Sequence, residues 1–391
     1  MRSPDISYFA RTNHRNARVP FGIKQADRLS HMYVVGKTGT GKSTLLETLA
    51  WQDFERGRGF ALVDPHGDLA EELATRMQSA NPGRLIYFNA SDPWLMYGYN
   101  PMRRVRADKI PLAVSGILET FKKIWPDAWG VRMEHVLRNT LYTLLERDGS
   151  KLPDILRLYT DEDFRKEIVK GIKNDVVKRF WTDEFESYPA RLRAEACAPI
   201  QNKLGALLSD PTLYRILVEP QIDLRFRKIM DEGLVLVVNI SKGRLGDESA
   251  ILLGCLLVST LGLAGFSRAD VDTGTRRPFF VYLDEFHNFT TLMIANMMSE
   301  LRKYGVGLVL AHQYLNQLEP DILHAVLGNS GTIVCFRVGP EDAHLLADEF
   351  QPKFGVLDIL NLPNRSIYLK LMIDGALSLP FSANTITPDS L

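Results

Sequence analysis

Residues 36–43 read G-K-T-G-T-G-K-S, directly after the apolar run Met32-Tyr33-Val34-Val35 and directly before the helical-looking stretch Thr44-Leu45-Leu46-Glu47-Thr48-Leu49. Strand, glycine-rich loop and helix in that order make a phosphate-binding loop. The glycines let the backbone curl so that successive N–H groups converge on phosphate oxygens, and the helix adds the positive end of its dipole. Gly36, Thr38, Gly39, Thr40, Gly41, Lys42, Ser43 and Thr44 are therefore expected to hold a nucleoside triphosphate. Lys42 would bridge the β- and γ-phosphates and Ser43 would ligate Mg²⁺. A loop of this kind is built between a buried strand and a helix, which commits the chain to an α/β core.

Further apolar runs extend that core. Phe60-Ala61-Leu62-Val63-Asp64, ended by Pro65 and Gly67, reads as a buried parallel strand, and Leu85-Ile86-Tyr87-Phe88 as another. The pattern changes after Pro101. From about residue 103 to 220 no strand pattern stands out, while Leu112, Ile117, Leu118 and Phe121, then Val136, Leu137, Leu141, Leu144 and Leu145, recur at helical spacing. Strands then return at 234–240, 279–283, 306–311, 332–336 and, as the last, 366–373, with helices over 248–268 and 292–304. The expected division is a polar arm at 1–30 with Arg11, Arg15 and Arg18, leading into a short strand; a doubly wound, mostly parallel α/β core at 31–102 and 221–391; and an all-helical insertion at 103–220.

Strand 279–283 runs into two carboxylates, Asp284 and Glu285. Asp284 suits the Mg²⁺ shell, and Glu285 suits a general base that orients the attacking water. The second acid favours a hydrolytic motor over a binding switch. Asp64 also ends an apolar strand and is expected on a neighbouring strand, beside the metal rather than on it. Strand 306–311 ends in His312-Gln313; if it lies between the loop strand and the acidic strand, the Gln313 amide can donate to a phosphate oxygen and accept from water. A helix-capping or exposed glutamine is the plainer alternative, and His312 reads as a packed or surface histidine. Arg302 closes the helix before Gly305. It either complements the helix C-terminus or reaches the nucleotide of a neighbouring subunit as an arginine finger.

Lys+Arg and Asp+Glu are both 47, so no global field draws nucleic acid, and any such binding would need a local basic surface. Candidates are Arg103-Arg104-Arg106-Lys109, Arg225-Arg227-Lys228 and Arg276-Arg277, each of which reads first as a solvated face, and Lys242 with Arg244 in the loop after strand 234–240. Cys197, Cys255 and Cys335 have neither zinc nor disulfide spacing, which fits a reducing cytosol. Residues 1–18 lack the apolar stretch of a signal peptide. Residues 249–266 are uncharged and nearly long enough to span a bilayer. They lie between the phosphate loop and the acidic pair, so a span would separate two halves of one site, and a buried core helix is expected.

These motifs, in this order, resemble the FtsK–HerA class of pumping ATPases, and within it the TraG/TraD-like coupling ATPases of type IV secretion and conjugation. The likeness is carried by GKTGTGKST at 36–44, ALVDPHGDL at 61–69, VYLDEFHNF at 281–289, LRKYGVGLVLAHQ at 301–313 and GTIVCFRVGPEDAHLLADEF at 331–350. It implies a RecA-like P-loop core with an all-α inserted domain, ATP and Mg²⁺, a homo-hexameric ring with sites at subunit boundaries, and DNA threaded through the middle. It also implies a relaxase or a secretion-system membrane partner. It makes Arg302 the preferred finger, with Arg337 in reserve. The membrane helices that usually begin coupling proteins are not found here, which points to a cytoplasmic chain recruited to the membrane by a partner.

The function expected is an ATP-driven DNA translocase. The alternative is an ATPase that moves or remodels protein through its helical domain. A guanine-reading switch is disfavoured, because the only Asn-Lys, Asn202-Lys203, continues Leu204-Gly205.

Overall fold

The computed structural model describes residues 5–14 and 17–390. The apolar runs form the centre of an eleven-stranded sheet. In chain order its strands are β1 (Ile6–Thr12), β2 (Pro20–Lys24), β3 (Met32–Val35), β4 (Gly59–Asp64), β5 (Leu85–Asn89), β6 (Val235–Asn239), β7 (Phe279–Leu283), β8 (Val306–His312), β9 (Thr332–Cys335), β10 (Ser366–Lys370) and β11 (Phe381–Thr385). The spatial order is β2-β1-β11-β10-β9-β3-β8-β7-β4-β6-β5. From β9 to β5 every pair is parallel. Every residue of β3, β4, β6, β7, β8 and β9 is buried, as befits strands covered on both faces. The expected mixed α/β fold is therefore present.

Both ends of the chain differ from expectation. The arm at 1–30 contains β1 and β2, which pair antiparallel, and β1 continues onto β11. Arg15 lies outside the described residues. The last strand expected, 366–373, stops at Lys370, and β11 follows it. These antiparallel strands mix polar and apolar residues, so they carry no continuous apolar signal. The helix expected over 292–304 is α-helical at Leu292–Glu300 and tightens to a 3₁₀ turn at Leu301–Tyr304.

The chain divides into two units: 1–89, 226–244 and 264–391 form the sheet unit, and 90–225 with 245–263 form the other. The expected boundaries at 103 and 220 fall inside the second unit. Tyr97–Gly98 pairs with Ile222–Asp223, joining the two chain passages at its base. Its main helices include Ile110–Ile124, Val131–Leu145 and Ala190–Leu208. Trp125 is buried, stacks on Phe121 with ring centroids 4.7 Å apart, and donates to Glu248 at 2.8 Å. The long helix Asp247–Ser267 is apolar and long enough to cross a membrane by composition. Leu252, Leu253, Leu257, Val258 and Leu261 are all buried, so it is a core helix.

Candidate active site

In a parallel sheet the open crevice lies beyond the carboxyl ends of the strands. Here those ends converge. β8 pairs with β3 on one side and β7 on the other, with His312 level with Val35 and Leu310 level with Leu283. Gln313 therefore emerges between the phosphate loop and the acidic pair. A cavity of about 370 Å³ is lined by Thr38, Gly39, Gly41, Lys42, Ser43, Thr44, Asp284, Glu285 and Gln313, together with His66, Asn364 and Arg365.

The loop itself is a frame around that cavity. Gly39 and Gly41 have φ of 75° and 120°, where a side chain is strained. The helix Lys42–Glu55 begins at the loop and points its N-terminus at the cavity. Lys42 Nζ donates to the Gly36 carbonyl at 2.7 Å and to the Lys37 carbonyl at 3.3 Å. Burial lowers its pKa, while Glu285 and Asp284 oppose that shift. Two expected contact residues do not line the cavity. Thr40 is buried and donates to the Lys37 carbonyl at 2.7 Å, and a side chain on Gly36 would collide with Phe336. Both shape the loop.

Glu285 sits at φ 43°, ψ 48°, in the left-handed region. Such a backbone costs about 1–3 kcal/mol for a non-glycine residue and is concentrated at functional sites. Asn288 holds the turn by donating its backbone N–H (3.0 Å) and its side-chain amide (2.8 Å) to the Glu285 carbonyl. Gln313 Nε2 donates to Glu285 Oε1 at 2.8 Å, and Gln313 Oε1 accepts from Thr38 Oγ1 at 2.9 Å. One amide thus ties the loop to the carboxylate. Glu285 Oε2 is buried and has no hydrogen-bond partner; His287 Nδ1 stands 3.4 Å away without hydrogen-bond geometry.

Asp284 is also buried, and its Oδ1 accepts the Glu285 N–H at 3.0 Å. Burial, then the Asp64 and Glu285 carboxylates, push its pKa up to about 7, against the pull of Lys42. Asp64 does not line the cavity. Its oxygens accept the N–H groups of His66 (2.8 Å) and Ala70 (3.0 Å), fixing the start of the helix Asp68–Ala80. His312 is buried against Tyr33 and Phe286, and burial first, then His287 and Lys42, lower its pKa to about 3. It is a packed, neutral histidine.

A raised carboxylate pKa has a stability consequence. Between the ordinary value of 3.8 and about 7, folded Asp284 holds its proton while the unfolded residue has lost it. Stability therefore falls as pH rises through that window, and the penalty is complete above it. Asp284→Asn is expected to stabilise the nucleotide-free protein by about a few kcal/mol above pH 7. The gain should shrink as pH falls towards 3.8 in thermal melts. A gain independent of pH would remove the ionisation argument.

The other candidates lie elsewhere. Arg302 is exposed on the turn before β8, at the opposite end of the sheet. The seven residues of β8 span roughly 20 Å, so Arg302 cannot reach its own phosphate loop. Among the described residues it has no carboxylate partner. Arg337 lies beside the loop, where its carbonyl accepts the Lys37 N–H at 2.8 Å. Its guanidinium is engaged with the Leu362 carbonyl (3.3 Å) and Asn364 Oδ1 (2.9 Å). The basic clusters are largely occupied: Arg104 pairs with Asp148, Arg106 with Asp108, and Arg227 with Asp231 and Asp270. Lys242 donates to Asn288 Oδ1 at 2.6 Å, and Arg244 pairs with Glu71 at 2.8 Å. His66, Asn364 and Arg365 were not expected. They enter from loops remote in sequence, and only the order of the strands brings them together.

A phosphate loop, an acidic pair and a bridging glutamine at the carboxyl edge of this sheet define a P-loop ATPase. The chain belongs to the family described as helicase HerA, central domain, whose model matches residues 12–253. A second model, described as the TraM recognition site of TraD and TraG, matches residues 278–350, and the two together make the chain TraG/TraD-like. No curated protein sequence matches it. Solved structures share the fold at low identity. The bacterial conjugative coupling protein TrwBdeltaN70, unbound, aligns with a TM-score of 0.69 at 17% identity, covering 98% of this chain and 89% of that one. TrwB with a non-hydrolysable ATP analogue aligns at 0.67 and 18%, covering 94% and 87%. VirB4 of Thermoanaerobacter pseudethanolicus aligns at 0.61 and 15%, covering 99% and 98%.

Proposed function

We propose that the chain is an ATP-driven DNA translocase of the conjugative coupling type, working as a homo-hexameric ring with ATP and Mg²⁺ at each subunit boundary. The observation that carries this reading is the Glu285 carboxylate. One oxygen is held by Gln313, and the other is buried beside the phosphate loop without a hydrogen bond, with His287 Nδ1 3.4 Å away. A buried carboxylate oxygen that accepts no hydrogen bond is costly, and a water poised for attack would satisfy it. Solved TrwB complexes include one with ADP and Mg²⁺, which supports the same ligands here.

The donor set suits such a group. Ser43 is exposed to the cavity and Asp284 lines it, and these two would hold Mg²⁺. Held there, it would supply positive charge to the triphosphate. The loop N–H groups and Lys42 bind the phosphate tail, with Lys42 exchanging its carbonyl contacts for phosphate oxygens. Glu285 orients water and takes its proton as the new oxygen–phosphorus bond forms. The bond to the β-phosphate oxygen breaks, and ADP leaves with that electron pair. Gln313, bonded to both Thr38 and Glu285, reports whether the γ-phosphate is present. Arg302, remote from its own site, serves the next subunit. The chain acts at the cytosolic face of a membrane, through a partner in the relaxosome or secretion channel.

Lys42→Ala is expected to weaken binding of fluorescent ADP by about 10- to 100-fold through loss of a charged donor. Undiminished affinity would move the nucleotide away from the loop. The test of the whole reading is ATP hydrolysis with and without DNA at low salt, beside the mass of the assembly in ATP analogue. DNA should stimulate a ring, and the stimulation should fade with salt as phosphate contacts are screened. Stimulation by a protein substrate and by no DNA would instead assign a protein-moving motor.

A further inference from the structure

We propose that Arg365 grips the phosphates of the nucleotide bound in its own subunit, and that the two cavities it lines are two ends of one nucleotide cleft. This rests on the ATPase reading above. Arg365 lies just before β10, at φ 65°, in the region that favours glycine. Its backbone is held from both sides. The N–H donates to the Thr40 carbonyl of the phosphate loop at 2.8 Å, and the carbonyl accepts the Thr385 N–H at 2.8 Å. Its stem passes over the loop, with Cγ 3.6 Å from where a Cβ on Gly41 would stand.

The guanidinium, in contrast, is exposed and has no acidic partner among the described residues. It lines the phosphate cavity and also a second cavity of about 450 Å³, bounded by Arg11, Arg18, Asn384, Thr385 and Thr387. A turn that needed only the left-handed backbone would be better served by glycine. An arginine there keeps a cation at the mouth of the loop, where a planar donor fork matches phosphate oxygens. The polar second cavity continues the cleft towards the nucleoside.

The experiment compares the full chain with Arg365→Gly, which suits the backbone, and Arg365→Lys, which keeps the charge. Fluorescent ADP affinity, KM and kcat for ATP, and inhibition by inorganic tripolyphosphate are measured, with melting temperatures. Arg365→Gly should melt no earlier than the parent. It should lose about 10- to 100-fold in ADP affinity, in KM and in tripolyphosphate inhibition alike, as expected for one lost charge-assisted contact. Arg365→Lys should recover part of each. Unchanged affinity and KM in Arg365→Gly, or an ADP loss without a tripolyphosphate loss, would overturn the assignment. A parent chain that binds ADP more tightly than Arg365→Gly yet hydrolyses no ATP would support Arg365 and sink the translocase reading.

Discussion

Glu285→Gln is expected to bind ATP as tightly as the parent chain and to hydrolyse it about 10²- to 10⁴-fold more slowly, the usual worth of a positioned general base. The substitution is nearly isosteric. Its oxygen can still accept from Gln313 Nε2, so the bridge to Thr38 survives. The other position changes from a buried carboxylate oxygen that accepts no hydrogen bond to an amide nitrogen that cannot take a proton from water. Binding depends on the loop, which the change leaves alone. A single-turnover experiment with labelled ATP should find the nucleotide bound and intact. Hydrolysis at the parental rate would mean that another group receives the proton.

Arg302→Ala is expected to bind ATP normally and to lose about 10³- to 10⁵-fold in turnover, the range for arginine fingers supplied by a neighbour. Arg302 is exposed on the turn Leu301–Tyr304 and carries no ion pair among the described residues. The melting temperature should therefore stay within about a degree or two of the parent, as for surface changes that touch nothing. Arg302→Lys should recover little, because an ammonium lacks the planar fork. Full turnover in Arg302→Ala would return the residue to its plainer role at a helix end.

The centre of the sheet could be read from residues because each parallel strand is an unbroken apolar run. Asp284 and Glu285, Gln313 and Lys42 were placed by the motifs that end or follow those runs, and they line one cavity. Three things were hidden. β1, β2 and β11 are antiparallel strands that mix polar with apolar residues, so no apolar run marks them. Thr40 sits in a binding motif, yet its hydroxyl is spent on the Lys37 carbonyl within the loop. Arg365 belongs to no motif. It reaches the site only because β10 lies two strands from β3, across β9, and its one local signal is an arginine held in a left-handed turn. The second unit was readable as helical, but its borders were not. The helix Asp247–Ser267 follows β6 in sequence, and residues 245–263 belong with the inserted helices.

The central claim is that each hydrolytic site takes Glu285 from one protomer and Arg302 from the next. Mixing Arg302→Ala with Glu285→Gln tests it directly. Each variant alone should be nearly inactive. In a one-to-one mixture, about a quarter of head-to-tail boundaries would pair an intact Glu285 with an intact Arg302. ATPase activity should then rise far above that of either variant alone, towards that fraction of the unmodified ring. Mixed rings, verified by mass, with no more activity than either variant alone would contradict a site shared between protomers.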